Sequence, residues 1–267
     1  MKQFATGRAW LIYLFVGLLA ESMPGYANDK KPAQEFYQIE IYHFKTAGQE
    51  KIIDDYLQHA LIPALHKKNI INIGVFKPLV NDTAADKLVY VFMPLKSVDA
   101  LLSLPAQLGK DADYNAAAAN YLQAVYTDPP YTRMESILLQ AFPLAPQMQV
   151  PGLKAPHNER IYELRSYESP TEKYHISKVH MFNEGGEIPL FKRLEFNAVF
   201  YADVINGSHM PNLMYMTSFE NMAEREAHWK AFFADDAWKK LSAKPEYQHN
   251  VSKAEIFLLH ATDYSEL

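Results

Sequence analysis

Two short stretches place carboxylates beside groups they could act on. In FYQIEIYHF, residues 36–44, Glu40 and Tyr42 alternate with Ile39 and Ile41; in RIYELRSY, residues 160–167, Glu163, Arg165 and Tyr167 alternate with Tyr162 and Leu164. Period-two alternation is the mark of a strand, so Glu163 and Arg165 share one face, as do Glu40 and Tyr42. A carboxylate beside an arginine is either an ion pair or part of a site for a planar acid, because the guanidinium offers a two-pronged fork. Two carboxylates brought together would act differently. At about 4 Å they repel by about 4 kcal/mol at an effective dielectric of 20, so they would share a proton or recruit Arg165. That suits acid–base or anion-binding chemistry, and a structural ion-pair network accounts for the same residues.

The candidate ligand-binding set is Glu40, Asn72, Glu163, Arg165, Asn197 and His228; no catalytic residue stands out. Asn72 and Asn197 sit at matched places in INIGVF and FNAVFY, with a parity that fits either face of a sheet. His228 precedes Trp229 in a helical pattern, where Trp229 and Phe233 are expected on the buried stripe. His228 would then reach a pocket rim or serve as hydrogen-bonded structure.

Other chemistries lack their residues. The chain has no cysteine, which removes disulfides and zinc knuckles. His175 and His180 are five apart and diverge on a helix, and no His-Glu-x-x-His occurs. There is no nucleophile elbow, phosphate loop or dinucleotide fingerprint, so neither a metal nor a cofactor is expected. A net charge of −5 with mixed signs argues against nucleic acid.

The elements that must position these residues come as a repeat. Glu40 matches Glu163 at an offset of 123, and Asn72 matches Asn197 at 125. LVYVF (88–92) matches LMYMT (213–217), and SILLQAF (136–142) stands where EIFLLHA (255–261) closes the second half. Each half reads strand, helix, strand, strand, helix, strand, a ferredoxin-like α+β unit. One such unit leaves a sheet face open; two can cover each other. The expected architecture is therefore tandem ferredoxin-like repeats forming an intramolecular dimeric α/β barrel, with Glu40 and Glu163 facing the space between the sheets. In FNEGGEIPLFKRLEFNAVFY (182–201), Gly185-Gly186 should break a first helix and Glu187 start a second, with Pro189 tolerated in its first turn.

The expected organisation is a signal peptide at 1–27, a first half at 28–142, a Pro-rich linker at 143–158 and a second half at 159–267. Lys2 and Arg8 precede an apolar run from Ala9 to Ala20, and Gly25-Tyr26-Ala27 ends in small residues suited to cleavage. Twelve apolar residues fall short of the roughly 20 a spanning helix needs, so export with no membrane span is the expectation.

The second half resembles the NIPSNAP family through YELRSY (162–167), FNEGGEIPLFKRLEFNAVFY (182–201), MPNLMYMTSFENMAEREAHWKAF (210–232) and DDAWKKLSAKPEYQHN (235–250). The first half is similar only through the repeat, with Ser103-Leu104 where His228-Trp229 stand. The resemblance implies a dimeric α/β barrel and no settled activity. Three functional readings follow: a small-molecule binder with its pocket in or beside the barrel, a cofactor-independent oxygenase or isomerase, and an interaction module without a pocket. An oligomer is compatible with each.

Overall fold

The computed structural model describes residues 32–267, so the expected signal peptide lies outside the described residues. The first half runs β1 (Phe36–Phe44), α1 (Ala47–Tyr56), a π turn (Leu57–Leu61), α2 (Ile62–His66), β2 (Gly74–Pro78), β3 (Lys87–Leu95), α3 (Val98–Leu108), α4 (Ala112–Ala117), α5 (Ala119–Leu122) and β4 (Arg133–Ala141). The second runs β5 (Ile161–Glu168), α6 (Glu172–Phe182), α7 (Glu187–Arg193), β6 (Ala198–Asn206), β7 (Asn212–Phe219), α8 (Met222–Ala234), α9 (Asp236–Ser242) and β8 (Lys253–Ala261).

Within each half the central strand pairs antiparallel with two neighbours, β1 with β3 and β4, β5 with β7 and β8. The outer strands then pair across the halves, β2 with β8 and β4 with β6, closing all eight strands into one barrel. Closure removes the open edges that invite aggregation. The fold is the tandem ferredoxin-like, intramolecular dimeric α/β barrel that the repeat implies.

The barrel lumen is filled. Tyr37, Phe76, Phe92, Tyr162, Phe200 and Met216 belong to one apolar core fed by both halves. A second core lies under α1–α5 and a third under α6–α9. This reverses the expected facing of the sheets. Tyr162 and Leu164 point inward, whereas Glu163, Arg165 and Tyr167 lie on the outer face beneath α8; Glu40 likewise lies beneath the first half's helices. The two carboxylates therefore belong to separate layers and do not form a dyad. Strands such as β5 and β7 are buried on both faces, so an apolar face is no guide to which side the helices cover.

The double glycine behaves as expected. Gly186 adopts a φ of 101° ahead of α7, and a Cβ on Gly185 would lie 2.5 Å from the Met181 carbonyl oxygen. Asp235 caps α9 through the Ala237 N–H. Phe233 departs from expectation: it is 55 % exposed, and Phe232 takes the buried position.

Candidate functional site

In the second half the carboxylate of Glu163 is wholly enclosed. Arg225 and Trp229, one turn apart on α8, both donate to one of its oxygens, at 2.6 Å and 2.9 Å. Arg165 Nε donates to the other oxygen at 2.5 Å, and its guanidinium carbon lies 3.7 Å from the centre of the Trp229 ring. Arg165 Nη1 continues to the Tyr167 hydroxyl at 2.8 Å, which meets the Tyr215 hydroxyl at 3.0 Å. Lys178 and Glu187, from the helices flanking the double glycine, form a second buried pair at 2.9 Å. Each of these carboxylates meets a cation, and Trp229 and Arg225 occupy the space beside Glu163. This arrangement holds the helix layer onto the sheet and gives Arg165 no free fork for an acid.

The same place in the first half is built from different residues. The repeat sets Tyr42 against Arg165, Ala100 against Arg225 and Leu104 against Trp229. Two guanidinium groups and an indole are thereby missing, with two consequences. Glu40 keeps only neutral hydrogen-bond partners, Gln38 Nε2 at 3.1 Å and the Tyr42 hydroxyl at 3.0 Å. A pocket of about 210 Å³ opens between sheet and helices, lined by Gln38, Glu40, Tyr42, Tyr121, Leu104 and Met134 among others.

Electrostatics follow from that construction. Burial raises the Glu40 pKa above the ordinary carboxylate value, and the Tyr42 hydrogen bond offsets part of the rise. Glu40 retains some accessible surface because it faces the pocket, yet the protein crowded around it withholds most of its hydration. Burial and then the nearby Glu40 push the Tyr42 phenol well above its usual value, so it stays a donor. The Gln38 amide oxygen is buried and has no hydrogen-bond partner. A carboxyl that changes protonation state closer to neutrality can both take and return a proton.

The remaining sequence candidates do not join this group. Asn72 (φ 61°) and Asn197 (φ 44°) precede β2 and β6 in left-handed conformations that asparagine tolerates better than most residues. Their recurrence reflects a shared backbone turn, and neither faces the lumen or lies within a strand. Asn197 lines a surface pocket of about 720 Å³ beside residues 144–152, and Asn72 lines one of about 500 Å³. The larger volume does not decide the matter: Lys192 and Glu195, which line the bigger pocket, are exposed and solvated, whereas the Glu40 pocket holds a desolvated acid. His228 sits edge-on to Phe196 and Phe219 with Nε2 3.5 Å from Glu224. Sequence reasoning missed Arg225, Lys178 and Glu187, although the four-residue spacing of Arg225 and Trp229 puts both on one helix face.

Residues 162–266 match the NIPSNAP family model. The second half is a NIPSNAP domain. A NIPSNAP family protein of Agrobacterium tumefaciens is 19 % identical over 44 % of this chain and 98 % of its own, with a TM-score of 0.37. Longer matches exist in solved structures. A protein provisionally named a monooxygenase from Fusobacterium nucleatum is 8 % identical, covering 86 % of this chain and 93 % of its own at a TM-score of 0.56. Another of that description from Lactobacillus acidophilus is 11 % identical, covering 85 % and 94 % at 0.55. These likenesses are of fold, spanning the NIPSNAP domain and the half before it. No curated protein matches in sequence.

Proposed function

We propose that this NIPSNAP-domain protein binds a small organic molecule in the Glu40 pocket and that Glu40 moves a proton on it. The observation that carries the reading is the contrast between repeats: Glu163 is neutralised by two arginines and capped by an indole, while Glu40 has neither and faces open volume. Leaving a carboxyl unpaired in a desolvated layer costs stability, which a purely structural position would avoid. The reaction this supports is of isomerase type. The Glu40 carboxylate accepts a proton from one atom of the ligand and the resulting acid returns it to another, with no net change in electrons. The Tyr42 hydroxyl steadies the carboxylate between the two transfers.

The setting we propose is outside the cytoplasm, from Lys2, Arg8, the apolar run and the Ala27 ending. Among the described residues no helix is long and apolar enough to cross a membrane. N-terminal sequencing of the mature protein should begin at Asn28; a mature chain that keeps the apolar run would contradict this. Native mass spectrometry of protein purified from its own compartment tests the site. Wild type should carry a small bound mass that Leu104→Trp, by restoring the bulk found in the second half, excludes. A bound mass indifferent to Leu104→Trp would place the ligand elsewhere.

A further inference from the structure

The lining of the Glu40 pocket also restricts what can enter it, and the following rests on that pocket being the binding site. None of the residues lining it is lysine, arginine or histidine. An anion would shed its water there with no counter-charge, a cost of several kcal/mol. The donors beside Glu40 are engaged: Gln38 Nε2 serves Glu40 and Ser136, and the Tyr42 hydroxyl serves Glu40. Farther along the wall the Tyr56 hydroxyl pairs with Tyr114, and the Tyr121 hydroxyl stands apart from the carboxylate. What is left at the Glu40 end is acceptor capacity, on the orphaned Gln38 Oε1 and on the remaining lone pairs of Glu40. A ligand satisfies both only by donating.

Size and wall chemistry narrow the class further. The walls beyond Gln38 and Glu40 are leucine, methionine, proline and tyrosine. A cavity of about 150 Å³ is enough for benzene, so about 210 Å³ admits one six-membered ring with a short substituent. An ammonium ion would find a carboxylate and aromatic rings here. The Tyr56–Tyr121 stack at 3.8 Å and 7° turns one face of each ring away from a cation, so the carboxylate would be its main partner and benzylamine is the probe that tests for it.

We propose that the pocket takes a neutral, ring-sized, largely apolar molecule that presents one hydroxyl donor to Gln38 Oε1 and Glu40, a phenol-class compound being the type. Four probes of similar size separate the alternatives: phenol, anisole, benzoate and benzylamine, titrated by calorimetry or ligand-observed NMR. Titrations use wild type, Gln38→Leu and Leu104→Trp, with Leu104→Phe read in the same way should the tryptophan variant fail to fold. Phenol should bind roughly tenfold tighter than anisole, which lacks the donor. Gln38→Leu should erase that preference while anisole still binds, benzoate should not bind, and the filled-pocket variant should bind none. Benzylamine or benzoate binding tighter than phenol, and lost on filling the pocket, would overturn the ligand class and leave the pocket standing. Probe binding that survives the filling, or no binding by any of the four, would overturn both.

Discussion

The same substitution at repeat-equivalent positions should destabilise one half and spare the other. Glu163→Gln keeps the shape but removes the charge that Arg165 and Arg225 share, and its amide group turns a donor toward donors. Arg165 is 7 % exposed, so it would be left as a buried charge with only the Tyr167 hydroxyl and the Trp229 ring beside it. Breaking such a pair costs about 3–5 kcal/mol. Arg225 retains 19 % of its side-chain exposure and can rehydrate, which favours the lower part of that range. At about 2–4 °C per kcal/mol for a domain of this size, the unfolding midpoint should fall by roughly 6–20 °C. Glu40→Gln removes a carboxyl that burial already disfavours in its ionised form. Because the folded-state pKa is raised, the folded protein holds this proton more tightly than the unfolded chain. Stability is then fully present below the unfolded pKa and declines as pH rises through the folded one. Glu40→Gln should therefore leave the midpoint unchanged or higher at neutral pH, and match wild type in acid, where both side chains are neutral. Thermal unfolding followed by circular dichroism from about pH 4 to about pH 8 reads both effects, since ordinary carboxylates titrate near the bottom of that window. Equal losses at neutral pH for the two variants would show that the halves do not differ electrostatically, and the assignment of Glu40 would fail with it.

Three further outcomes follow from the packing. Lys178→Met should cost about 3–5 kcal/mol by stranding Glu187, and Lys178→Met with Glu187→Leu should recover most of it; urea unfolding that finds the double variant no better than the single would refute a buried pair. Gly185→Ala should destabilise by about 1–3 kcal/mol, because the new methyl meets the Met181 carbonyl at 2.5 Å and the Tyr247 hydroxyl at 2.9 Å; an unaltered midpoint would deny the close approach. The second half expressed alone from about residue 156 loses β4 beside β6 and β2 beside β8, so it should be less stable and self-associate, whereas sedimentation as a stable monomer would contradict the shared barrel.

Much of the barrel was legible because its cause is local. Alternating residues in FYQIEIYHF and YELRSY define β1 and β5, and the spacing between matched strands exposes the duplication. The glycine pair and Glu187 mark the break between α6 and α7 for equally local reasons. The facing of Glu163 was misread because a closed barrel buries both faces: Tyr162 and Leu164 belong to the lumen and Tyr167 and Tyr215 to the helix layer, so alternation alone carries no sign. The pocket was less legible still. It depends on a smaller side chain, Leu104, where the second half has Trp229, and the meaning of that difference appears only when α3 is superposed on α8 in sequence. Ser103-Leu104 against His228-Trp229 was the visible trace of it, although it drew the eye to the half with more functional groups.

The functional groups are more numerous where they are fully engaged. Arg165, Arg225 and Trp229 complete every valence of Glu163, and in doing so they remove it from chemistry. Glu40 stands in the equivalent frame with tyrosine, alanine and leucine in their places, so its hydrogen-bond partners are neutral and no cation fixes its charge. A single closed barrel makes the asymmetry tolerable. The lumen is built by both halves, so folding of the first half draws on contacts such as Phe76 with Tyr162, and Tyr37 and Phe92 with Phe200, that do not involve Glu40 at all. The unfavourable burial of one acid is a local cost within a fold secured by those shared contacts. It follows that Ala100→Arg is the informative single change: a guanidinium one turn from Leu104 would bring Glu40 toward the state of Glu163, lowering its pKa and stabilising the charged form. If Glu40 is the proton-moving group, ligand turnover should be lost while the fold stays intact or gains stability. Turnover that survives a salt-bridged Glu40 would assign the chemistry to another residue.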